Sequence, residues 1–135
     1  MLADTLAVQT GHETTVNYDT ISVNGSDTIR RERTSSNDEP RDLIVRHSTS
    51  GKPGAITDRT LISFSDTVLV GTEYKKAVVN LTFALDRGVP QGTTDPGNVR
   101  DMFCRLISLC VPTLTIVDDV NGHTANLEAI LRGQS

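Results

Sequence analysis

The chain has 135 residues, a formal net charge of −4, 36% hydrophobic and 4% aromatic residues, and no Trp. That is the length of one domain, and the balance excludes a membrane-spanning helix and ordinary disorder. It also argues against a non-specific nucleic-acid binder, which relies on an overall basic excess. The charge is unevenly placed. Residues 1–29 carry Asp4, Glu13, Asp19 and Asp27 and no Lys or Arg, whereas residues 30–76 carry more bases than acids. A folded chain can therefore present a locally basic surface from its middle third.

The first two-thirds reads as strands and turns. Thr5–Gln9 is a short strand. Thr14–Val23 is a second, whose apolar positions change parity between Tyr18 and Ile21, the mark of a bulge near Asp19-Thr20. Asn24-Gly25 is a strong hairpin signal. Thr28–Thr34 is a poorly apolar strand expected at a sheet edge, and Ser35–Pro40 is a loop by composition. A strand starts at Asp42 and runs to Ser48. Ser50–Gly54 is a loop, and Arg59–Ser65 is the next strand, with further apolar residues at Val68, Leu69 and Val70. Gly71-Thr72 is a tight turn. The clearest strand runs from Tyr74 to Leu85: Ala77, Val79, Leu81, Phe83 and Leu85 point one way, and Lys76, Val78, Asn80, Thr82 and Ala84 point the other.

The period changes after Gly88. Asp95-Pro96 is a helix start. Val99, Met102, Phe103, Leu106, Ile107 and Cys110 then fall at i, i+3, i+4, i+7, i+8 and i+11, one apolar stripe on an amphipathic helix. Pro112 ends it, and a short second helix is predicted from Thr124 to Leu131. Strands first and helices last define an α+β fold: an antiparallel meander covered on one face by two C-terminal helices.

No enzyme is indicated. His12, His47 and His123 belong to no local motif, Gly51-Lys52 lacks the glycine spacing of a phosphate loop, and Asp118-Asp119 reads as surface. His47 reads as a half-buried, hydrogen-bonded strand residue. Cys104 and Cys110 lie on different faces of the helix, so they cannot pair within it, and neither has a partner at metal-ligand spacing. No catalytic residue, metal or cofactor is therefore expected. Met1-Leu2-Ala3-Asp4 has neither the basic start nor the apolar run of a leader, and no membrane partner is expected. The sheet offers a dry face to the helices and a wetter face to a polar partner.

The order of hairpin, meander, long alternating strand (AVVNLTFAL, 77–85) and amphipathic helix (NVRDMFCRLISL, 98–109) resembles the coat proteins of single-stranded RNA bacteriophages, the levivirus family. The resemblance covers nearly the whole chain and implies one coat-protein domain over 1–135, with a hairpin at 1–25, the sheet at 28–90 and helices at 95–133. It implies an intertwined dimer in which two sheets join edge to edge and each chain's helices cross its partner. Val99, Met102, Phe103, Leu106, Ile107 and Cys110 would form that interface. Many dimers would close into an icosahedral virion shell, assembled in the bacterial cytoplasm.

The inward sheet face would bind the RNA genome, including a packaging hairpin whose capture can repress translation. Carried onto this chain, that face presents Arg46, Ser48, Arg59, Ser63, Tyr74, Lys76, Asn80 and Thr82. Arg46, Arg59, Lys75 and Lys76 suit phosphates, and Ser48, Ser63, Asn80 and Thr82 suit base edges or 2′-hydroxyls. Lys76 stands where family members often place a stacking aromatic, with Tyr74 two residues earlier. The turn at Gly71-Thr72 is shorter, and the segment 86–97 longer, than the family pattern. The competing reading is a β-rich adaptor or adhesion module that does not assemble.

Overall fold

The computed structural model describes residues 2–9, 14–87, 98–110 and Ile130. Six strands, β1 (Thr5–Gln9), β2 (Thr15–Asn24), β3 (Asp27–Glu32), β4 (Arg41–Lys52), β5 (Ala55–Val70) and β6 (Glu73–Asp86), precede one helix, α1 (Asn98–Cys110). The strands form a single sheet in chain order, and every neighbouring pair is antiparallel. The hairpin β1–β2 thus continues the same sheet as the later strands. The expected second helix, the helix start at Asp95-Pro96 and the cluster at Asp118-Asp119 lie outside the described residues, except that Ile130 is helical.

Turn chemistry sets the meander. Gly25 follows Asn24 at φ +62°, and Gly71 closes the β5–β6 hairpin at φ +65°, a backbone region that side chains with a Cβ rarely adopt. The parity change in β2 is real: the β2–β3 register shifts between Thr20 and Ser22, which places the bulge at Ile21. Strands β4 and β5 run further than their apolar residues suggest. Their ladder continues through Ser50↔Thr57 to Lys52↔Ala55, so the expected loop at 50–54 shrinks to Pro53-Gly54.

Strand β3 is not at an edge; it lies between β2 and β4. Its apolar content is low because polar groups take core-side positions, where most of their hydrogen-bonding atoms find partners and Arg30 Nε does not. Thr28, Arg30 and Glu32 are all buried. Arg30 donates to the Thr28 hydroxyl at 2.8 Å, and Arg41 reaches the Glu32 carboxylate at 3.0 Å. Burial pushes the Glu32 carboxyl up, but bonds from Thr34 and Arg41 outweigh it and hold the group below its usual range.

The core lies on one face. Leu2, Leu6, Tyr18, Leu43, Val45 and Ile130 form its larger cluster, with Tyr18 meeting Phe64 edge-on at 5.7 Å between ring centres. His47, half-buried on this side, holds Nδ1 3.1 Å from the Thr60 hydroxyl. A second cluster joins Phe83 and Val99, flanked by Ile62, Leu81, Leu85 and Phe103. Here α1 meets its own sheet, with Phe103 6.0 Å from Phe83 between ring centres.

Beyond that contact the helix stripe stays open. Leu106 and Met102 are exposed, and Leu109 is 78% exposed. Val99 is 1% exposed, so within the expected interface set this residue finds its cover inside its own chain. Phe103, Cys104 and Ile107 are half-buried and Cys110 is exposed; both cysteines are free thiols.

Candidate functional site

Residues directly opposite each other in an antiparallel pair share a face, and neighbours along a strand alternate faces. The register of β4, β5 and β6 therefore lays out the face away from the core as rows. Ser48, Arg59 and Ala84 form one row; Arg46, Leu61 and Thr82 the next; Ile44, Ser63 and Asn80 the third; Asp42, Ser65 and Val78 the fourth. Past the end of β4 the face continues as Thr67 beside Lys76 and Leu69 beside Tyr74. All eight residues carried onto this face by the sequence reading stand on it together: Arg46, Ser48, Arg59, Ser63, Tyr74, Lys76, Asn80 and Thr82.

Accessibility divides the eight. Arg46, Ser48, Arg59, Lys76, Asn80 and Thr82 are exposed, as is Tyr74 at 56%. Ser63 is only 7% exposed, sunk between Ile44 and Asn80, so its hydroxyl is not offered to a large partner in this arrangement. Lys75 is a correction. It pairs with Val68 on the core-side face, because its odd parity opposes that of Lys76.

The sequence reading missed two features of the open face. It is less polar than expected, since Ile29 and Ile44 join Leu61 and Val78 among the polar residues. It also carries ion pairs between neighbouring strands. Arg31 forks onto Asp42 at 2.7 and 3.2 Å, Arg33 forks onto Asp19 at 2.8 and 2.8 Å, and Arg46 reaches Asp27 at 3.5 Å. They depend on which residues of β2, β3 and β4 stand opposite one another, and no local pattern in a single strand carries that information. Among the described residues no ion pair involves Arg59 or Lys76.

The Asp19 pair gives the face an acid response. Hydrogen bonds from Arg33 and Thr5 pull the Asp19 carboxyl from 3.8 down to about 2. A carboxyl lowered on folding stabilises above its unfolded value and loses that contribution as pH falls through the folded one. The contribution of Asp19 is thus complete above 3.8 and fades towards pH 2. The expected result is that Asp19→Asn lowers the urea midpoint at pH 6 and that its deficit relative to wild type shrinks as pH falls through this window. A deficit constant down to pH 2 would remove the titration of Asp19 as its cause.

Among the described residues no group of His, Cys, Asp and Glu could hold a metal ion, and no helix is long and apolar enough to cross a membrane. On the core side, Leu6, Val8, Leu43, Ile62, Phe64 and Phe103 line an open apolar groove of about 210 Å³.

Neither a protein-family model nor a curated protein matches the chain by sequence. Solved structures do match. The virus-like particle of bacteriophage AVE019 aligns with a TM-score of 0.60 at 16% identity, over 85% of this chain and 89% of that one. The virus-like particle of Beihai levi-like virus 32 aligns at 0.61 and 12% identity, over 89% and 88%. The capsid protein of bacteriophage GA aligns at 0.53 and 16% identity, over 97% and 95%. The chain has the RNA-phage coat-protein fold. At these identities the likeness is one of backbone architecture: an antiparallel meander followed by a helix. Within this coat-protein fold the open face carries the cations Arg59 and Lys76, and the other face carries the core, the groove and α1.

Proposed function

We propose that this chain is a structural capsid protein that dimerises, assembles into a closed icosahedral shell and binds single-stranded genomic RNA on the open face of its sheet. The observation that carries the reading is the two-sided sheet. One face holds Arg46, Ser48, Arg59, Tyr74, Lys76, Asn80 and Thr82 together and uncovered, while the other leaves apolar surface without cover. Val79 on that second face is 71% exposed, and Met102, Leu106 and Leu109 on α1 are exposed with it. Apolar surface of this kind marks an interaction site.

The free edge of β6 supports a second copy as the occupant. Residues 77–85 of this edge strand carry no charge, no Pro and no register shift, and natural sheets usually blunt such an edge. Two antiparallel β6 strands can therefore continue one sheet across a two-fold axis, with the core-side face available to the helices of both chains. Capsid relatives in fold support a structural rather than catalytic role.

On the open face, Arg59 and Lys76 neutralise phosphates, and Arg46 does so in competition with Asp27. Asn80, Thr82 and Ser48 donate to base edges or ribose hydroxyls, and Tyr74 offers a stacking surface. Binding of a packaging hairpin here is the step through which translational repression would act. Assembly in the host cytoplasm completes the reading.

Electron microscopy of the purified protein tests the shell, with closed particles of uniform size as the expected image. The same particles should absorb at 260 nm. Arg59→Ala and Lys76→Ala should each lower RNA content and reduce the slope of log affinity against log salt by about 0.7, the share of one single-strand phosphate contact. A monomeric protein at micromolar concentration that forms no particles would favour the adaptor reading and end this one.

A further inference from the structure

The open face is electrostatically uneven: between β2 and β4 its acids are paired with arginines, and on β6 it carries Asp86, which accepts from the Thr57 hydroxyl at 2.7 Å. Asp19 on β2 stands opposite Arg31 on β3, and Arg31 stands opposite Asp42 on β4. Arg33 closes onto Asp19 with both edges of its fork, and Arg31 onto Asp42 likewise. A guanidinium whose fork is filled by a carboxylate has little to offer a phosphate until that pair breaks. The β2–β3 side of the face is thus largely self-neutralised.

Arg46 sits at the boundary. Asp27 faces it across the β3–β4 ladder, one position from the Thr28↔Val45 pair, with a single contact at 3.5 Å and both side chains well exposed. Past Arg46 towards β6, Arg59 and Lys76 carry no ion pair among the described residues.

We propose that Asp19, Asp27 and Asp42 form an acidic border that confines RNA phosphates to the β4–β6 side of the open face, with Asp27 restraining Arg46 as the boundary cation. The proposal rests on the reading that this face binds RNA and adds where on it the backbone runs. Each carboxylate acts twice: it occupies an arginine, and it repels a phosphate that approaches the same strand. The pairs differ in strength. The two forks hold against a competing strand, while the single long contact to Arg46 yields to it, because exposed single-contact pairs contribute little. Arg46 is then a conditional contact and Arg59 and Lys76 are standing ones.

The test measures binding of a fluorescent polyuridine 20-mer to the unassembled protein over a salt series. Asp27→Asn is expected to tighten binding about threefold at low salt, the effect of removing one near-surface charge. It should also steepen the salt slope by a fraction of the ~0.7 of one phosphate contact, the share of Arg46 that Asp27 no longer contests. Arg46→Ala in the Asp27→Asn background should abolish both gains. Asp42→Asn, which frees Arg31 instead, should add a phosphate in the same way and serves if Asp27→Asn folds poorly. A purely register-setting role for these aspartates predicts weaker or unchanged binding in both variants. Wild-type binding with unchanged affinity and slope in Asp27→Asn and Asp42→Asn would overturn the border alone. A wild-type protein that does not bind the 20-mer would overturn the RNA reading beneath it as well.

Discussion

Asn80→Pro is expected to abolish dimers and particles, whereas Asn80→Ala assembles normally. The reason is in the backbone of β6. Arg87 N–H donates to the Ile56 carbonyl at 3.0 Å, so the pair 87/56 is a bonded one. Bonded pairs alternate along an antiparallel ladder. The β5–β6 register is unbroken from Val70↔Glu73 to Thr57↔Asp86, so the odd residues of β6 bond to β5. The even residues, Asn80 among them, turn their amides to the free edge. Proline at position 80 therefore removes no hydrogen bond within the chain. It removes a donor that a second β6 strand would use and places a ring in that strand's path. Leu81→Pro is the contrasting case, because its amide bonds to β5 and its loss should damage the sheet itself. Sedimentation velocity and electron microscopy read association, and circular dichroism reads the sheet. Particles from Asn80→Pro equal in yield to those from Asn80→Ala would rule out the β6 edge as the dimer contact.

The second large effect is expected at Phe83. Its side chain is 9% exposed and joins Val99, Phe103, Ile62, Leu81 and Leu85, the cluster that ties α1 to the sheet. Truncation of a buried Phe to Ala destabilises by about 3–5 kcal/mol, through lost transfer energy and the cavity that remains. Phe83→Ala should therefore lower the urea midpoint sharply and release the first turn of the helix. Val79→Ala, two rows further along the same face but largely exposed in the single chain, should lower particle yield more than subunit stability. Equal losses of stability in the two variants would mean that the helix does not depend on Phe83 for its attachment.

The open face was legible where alternation ran unbroken. Lys76, Asn80 and Thr82 follow from the ten-residue pattern of β6 alone, and Arg59 and Ser63 follow from Ile62 and Phe64 facing the core. Arg46 and Ser48 needed only the parity of Leu43 and Val45. Where the alternation was interrupted or short, the reading stopped. Strand β3 looked like an edge because Arg30 and Glu32 look exposed in sequence; pairing with Thr28, Arg41 and Thr34 lets them be buried. Lys75 was grouped with its neighbour Lys76, although one step along a strand reverses the face.

By itself, the order of residues determined the strand–helix plan, the turns at Gly25 and Gly71, the apolar stripe of α1 and the two sides of β6. These depend on periodicity and on local backbone preference, which act over a few residues. Only the tertiary structure decided that β3 is interior, that Asp19, Asp27 and Asp42 pair with Arg33, Arg46 and Arg31 and leave Arg59 without an ion pair among the described residues, and that Val99 is covered by its own sheet. Those outcomes depend on which residues stand opposite one another across strands and between helix and sheet, contacts between segments far apart in the chain that local periodicity does not encode.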